Sequence, residues 1–133
     1  MPITYRIEQS KQLIHTRCIG PVVLEEVREH FVTLSQDRDC PPQLDVLLDL
    51  SEMTTLPESD ELRTVASDIA HLRPQIQFGI CAIVASRPPL FGMARMFEVF
   101  AEGYFSATGV FRTETEAVDW LEVQRHRASA PGE

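Results

Sequence analysis

The stretch "LDVLLDL", Leu44–Leu50, decides the fold: five of its seven residues are apolar, with only Asp45 and Asp49 between them. It is too short for a helix that stands alone and too continuously apolar for a strand with one wet face. Such runs, bounded by turn signals, fit a strand buried on both faces of a parallel sheet. The bounds are present: "DRDCPPQ" precedes it, where Pro41-Pro42 exclude helix and regular pairing, and "SEMTTLPE" follows. A second run of the same kind, "FGICAIVA" (78–85), lies between Pro74 and "SRPP".

Between the two runs the apolar period changes. Leu62, Val65, Ala66, Ile69 and Ala70 recur at helical spacing through about Leu72, and Pro74 ends that helix. Upstream, "ITYRIE" alternates Ile3, Tyr5 and Ile7 with polar residues, "QSKQ" reads as a turn, and "LIHTRCI" as its hairpin partner. Gly20-Pro21 stops that strand, and Leu24, Val27, Phe31 and Leu34 mark a helix whose cap position holds Val23 instead of a capping Ser, Thr or Asp. Downstream, a helix over 90–105 closes at Thr108-Gly109, and "VFR" is a short edge strand. Thr113 with Glu116 then forms a capping box for a last helix holding Val118, Trp120 and Leu121. The order is β-β-α-β-α-β-α-β-α, which demands crossover connections. The predicted class is therefore α/β, a mixed, mostly parallel sheet of about five strands with four helices. One domain spans 1–123, and 124–133 is a polar tail expected to fray.

Composition narrows the function. The chain has 133 residues, 44% hydrophobic and 24% charged, with a formal net charge of -8. That charge repels nucleic acid and anionic lipid heads, and no basic stripe offsets it. No run of about 18 apolar residues and no signal layout in "MPITYRIEQSKQ" points to a membrane segment or export. Cys18, Cys40 and Cys81 share no ligand spacing, so the setting expected is cytoplasmic and reducing. His15, His30, His71 and His126 are scattered, no Gly-rich phosphate loop or nucleophile elbow is present, and neither metal, cofactor nor catalysis is expected. Strand ends in open parallel sheets are where ligands bind. There the chain offers Asp49, Ser51, Ser86 and Arg87 as a polar rim, with turn-capping and solvation as the plainer roles for the same groups.

The segment "FGMARMFEVF" (91–100) is the unusual one. On a helical wheel over 90–105, Arg95, Glu98 and Glu102 share a narrow arc and apolar residues fill the rest. A helix on a sheet needs a stripe little wider than about 100°, so something else covers the excess. The last helix, a second copy of the chain, another protein and a hydrophobic ligand are all open. The face concerned is Met93, Met96, Val99, Phe100 and Tyr104.

From Tyr5 to about Leu121 the chain resembles the SpoIIAA-like group of STAS-like proteins, on "GPVVLEEVREHF", "LLDLSEM" and "FGMARMFE". The resemblance implies a mixed sheet flanked by helices, shared with CRAL-TRIO lipid-transfer domains, and a regulatory or binding module, homodimeric or docking on a partner, in place of an enzyme. The alternative it carries is a carrier or sensor of a small lipid-like molecule. In anti-sigma-factor antagonists a serine at the start of the helix after the Asp-containing strand is phosphorylated, and the matching position is Ser59. Its neighbours Pro57, Glu58, Asp60 and Glu61 depart from that pattern and would repel an added phosphate, which leaves helix capping as the simpler role.

Overall fold

The computed structural model describes residues 2–129. The strands are β1 (Ile3–Glu8), β2 (Leu13–Gly20), β3 (Gln43–Met53), β4 (Gln77–Val84) and β5 (Ala107–Phe111). The helices are α1 (Leu24–Ser35), α2 (Ser59–Leu72), α3 (Pro88–Phe100) and α4 (Glu114–Ser129). The five strands form one sheet in the order β1-β2-β3-β4-β5. The β1–β2 hairpin is antiparallel and every later pairing is parallel. The α/β class, the mixed sheet and the element order are as the sequence predicts.

Sheet order fixes where the helices go. Each crossover from β2 onward steps one strand in the same direction, and right-handed crossovers stepping one way leave their helices on one face. So α1 packs beside α2 and α2 beside α3, over a core that includes Ile14, Leu44, Leu50, Phe78 and Ile83. The chain then crosses to the other face, where α4 lies on β3, β4 and β5 and buries Ala117 and Leu121 against Leu47, Ile80, Ala82 and Val84. Trp120 and Leu121 therefore do not cover α3; the sheet stands between them.

Three local expectations need correction. The helix expected over 90–105 stops at Phe100, because Ala101 is fully buried and Gly103 takes a positive φ of 91° that turns the chain. Thr108-Gly109, expected to close that helix, is inside β5. Residues 124–129, expected as a frayed tail, are the last part of α4. They are held because Arg125 donates from Nη1 to Asp45 Oδ2 at 2.7 Å and from Nη2 to the Lys11 carbonyl. The rest of the expected tail, 130–133, lies outside the described residues. The starts of α1 and α2 are better marked than expected, and that of α4 is marked as expected. Glu26 accepts the Val23 N–H at 2.9 Å, Glu61 that of Glu58 at 3.0 Å, and Thr113 Oγ1 that of Glu116 at 3.2 Å.

Candidate functional site

The apolar helix resolves inward. Leu90, Met93, Ala94, Phe97 and Ala101 stand at i, i+3, i+4, i+7 and i+11, the positions of one helical face, and all are buried. Two arginines cover the flanks: the Arg63 guanidinium from α2 sits 4.6 Å above the Phe100 ring, and Arg112, just beyond β5, sits 4.2 Å above Phe91. Tyr104, beyond the helix end, packs against the core. Only Met96 and Val99 of the expected face remain exposed, at 44% and 65%. The five residues do not form one surface.

Behind Met93, Ala94 and Phe97 lies a cavity of about 160 Å³ between the sheet and α1–α3. Its floor is Ile14, Thr16 and Cys18 of β2, Val46 and Leu48 of β3 and Cys81 of β4; its roof is Val27, His30 and Phe31 of α1 with Leu62, Val65 and Ile69 of α2. The lining contains no Asp, Glu, Lys or Arg. An apolar void of this kind stays dry. Burial pushes the Cys18 thiol up to about 11 and that of Cys81 to about 12, so both are neutral thiols that behave as small hydrophobes. Burial also lowers the pKa of His30, leaving it uncharged at neutral pH.

A groove of about 250 Å³ adjoins the cavity at the carboxyl edge of the sheet, and the two share Val22, Val27, Met53, Pro57, Leu62 and Val65. Its lips are Val23 and Leu56, 54% and 56% exposed. The loops that carry them are clasped by one residue. Thr55 Oγ1 accepts the Val22 N–H at 3.0 Å and donates to the Val22 carbonyl at 2.9 Å. Of the residues the sequence reading singled out for binding, Met93 alone lines this cavity; the other walls come from every strand but β5 and from α1–α3, and each of those residues alone reads as ordinary core.

Comparison with known proteins agrees with this architecture. A solved structure from Shewanella loihica PV-4, an uncharacterized protein of the DUF3478 family with a SpoIIAA-like fold, superposes with a TM-score of 0.57 at 20% identity, over 90% of this chain and 93% of that one. The chain has a SpoIIAA-like fold. No protein-family model matches its sequence, and no curated protein does either.

The SpoIIAA-like fold also explains why the polar rim does not gather. Ligands collect at strand ends where the strand order reverses, and here it never does. Asp49 is occupied locally: its Oδ1 accepts from Ser51 N at 2.9 Å and from Ser51 Oγ at 2.6 Å, and its Oδ2 is 3.9 Å from Arg17. The hollow beside Asp49 is lined by residues of β1, β2, Leu47 and Glu114, and not by Ser86 or Arg87, both of which are exposed at the entry to α3. Ser59 is exposed and is the first residue of α2; the cap position belongs to Glu58, so the capping role expected of Ser59 is not the one it has. Among the described residues no group of three or more His, Cys, Asp or Glu is placed to hold a metal ion, and no helix is long and apolar enough to cross a membrane.

Proposed function

We propose that this SpoIIAA-like domain is a non-enzymatic binding module that carries or senses a small hydrophobic molecule in the cavity beneath α3. The single observation behind this reading is the cavity itself: about 160 Å³, almost wholly apolar, with an apolar-lipped groove adjoining it. An apolar cavity of roughly 150 Å³ takes a benzene-sized ligand, so the occupant is a compact ring or a short chain. Left empty, a void of this size costs about 4 kcal/mol, at roughly 24 cal/mol per Å³, and an occupant offsets that cost.

The resemblance-based reading, docking of α3 on a second copy or a protein partner, has less to stand on. Met93 faces inward, Phe100 lies under Arg63, and Met96 and Val99 are left. A stable interface buries on the order of 1,200 Å² or more, which two side chains do not supply. Binding without catalysis fits a rim whose Asp49 is taken up by its own turn, and the free, largely buried thiols suit a reducing, cytoplasmic setting. Native mass spectrometry of the protein as purified, before and after exposure to toluene, tests the reading. A bound small-molecule mass or stoichiometric uptake of toluene supports it; the bare chain mass in both samples counts against it, and a dimer mass restores the docking reading.

A further inference from the structure

The cavity and its groove change character from the inside to the mouth. Val27, Leu62 and Val65 border both spaces, so apolar surface continues from the lips, Val23 and Leu56, to the interior. The mouth lies where α1 and α2 begin, at the ends of the loops after β2 and β3. Both helices carry carboxylates there: Glu25 and Glu26 in the first turn of α1, Asp60 and Glu61 in that of α2, and Glu58 at the α2 cap position. Among the described residues Glu61 alone brings charge to the lining of the groove. The connecting residues 20–23 and 54–58 contain no Lys, Arg or His. The arginines of the two helices are engaged elsewhere, Arg28 with Asp68 at 3.0 Å and Arg63 over the Phe100 ring.

Helix N-termini ordinarily favour an anion, through amide donors that the helix leaves free. Here three amides at the mouth are taken from within: the Val22 N–H by Thr55, the Val23 N–H by Glu26 and the Glu58 N–H by Glu61. An anionic head would find these donors occupied and would meet carboxylates. We propose that the molecule held in the cavity is a cationic amphiphile: a short hydrocarbon chain whose tail fills the cavity and whose single ammonium head sits at the groove mouth, beside Glu61. An ammonium has three N–H donors and no acceptor, which suits a mouth whose charged groups are carboxylates. Glu26 and Glu61 each give Oε1 to a cap amide, and a carboxylate keeps further lone pairs for a second donor. The head stays in water while the chain is buried, so no charge has to be desolvated.

This inference rests on the cavity reading above, and the test separates the two. Octylamine, octanol and octanoate share one chain and carry a positive, a neutral and a negative head at neutral pH. Their affinities are measured by calorimetric titration at low salt, alone and in competition with toluene. A head charge beside partly exposed carboxylates is worth about threefold. Octylamine is therefore expected to bind about tenfold tighter than octanoate, with octanol between them, and to displace toluene. Added salt is expected to narrow that gap. So is the pair of substitutions Glu26→Gln and Glu61→Gln, which removes charge and keeps both cap acceptors. Octylamine no tighter than octanol or octanoate, or a preference that survives both salt and the double substitution, overturns the cationic head. Octylamine bound alongside toluene overturns the placement of its tail. Toluene bound with none of the octyl compounds overturns the amphiphile and leaves the cavity reading intact. Failure of toluene and of all three octyl compounds overturns the cavity reading itself.

Discussion

Filling the cavity from its smallest wall gives a prediction in which the sign alone decides. Ala94 is buried on α3 and is the only alanine in the lining. Ala94→Leu adds three carbons. At about 0.8 kcal/mol per buried methylene they contribute about 2.4 kcal/mol, less roughly 0.5–1 kcal/mol for the rotamer freedom a buried leucine loses. The variant is expected to be more stable than the wild type by about 1.4–1.9 kcal/mol, less than half of the void's cost. Urea denaturation reads this as a higher midpoint at unchanged m-value, and the same variant is expected to lose toluene binding. If the space behind Ala94 is closely packed, the extra carbons force strain and the protein loses about 1–3 kcal/mol instead. A lower midpoint for Ala94→Leu therefore refutes the reasoning from cavity to ligand.

Other consequences concern the frame around the cavity. In Gly79→Ala the new methyl would lie 2.3 Å from Asp45 Oδ1, where that oxygen accepts the Ile80 N–H at 2.8 Å and its partner oxygen holds Arg125; a loss of about 2 kcal/mol or more is expected in chemical denaturation, and much less in an Asp45→Ala background. Because burial holds the His30 pKa below its ordinary 6.5, the unfolded chain binds the proton first, so stability falls as pH drops below about 6.5. Denaturation midpoints between about pH 7 and pH 5 are expected to show this slope in the wild type and to lose it in His30→Phe, ahead of the lower pH range where Glu8 and Asp37, both held below their usual values, titrate. Arg63→Ala uncovers Phe100 and is expected to cost about 0.5–1 kcal/mol, measured by the same unfolding curves; no change would remove that arginine from the account of how α3 stays wet on its outer side.

What was legible in the sequence was what depends on local pattern. The two apolar runs that became β3 and β4, the helical spacing of α1 and α2, and the Thr113–Glu116 box of α4 are all set within a few residues. The end of α3 was not, because Ala101, Tyr104 and Phe105 continue the helical apolar period and only the positive φ at Gly103 breaks it. Arg63 and Arg112 are far from Phe100 and Phe91 in sequence or on other elements, so no wheel counts them as cover. Arg125 looked like part of a polar tail and Asp45 like an interruption in a strand, and only the packing of α4 joins them.

The methionines give the most direct measurement. Met53 and Met93 line the cavity, whereas Met96 is exposed on the outer face of α3. With methionine methyl groups isotopically labelled, NMR titration with toluene is predicted to shift the Met53 and Met93 signals saturably and to leave Met96 where it was. Shifts confined to Met96, or none at all, would contradict an interior binding site and return the search to the surface of α3.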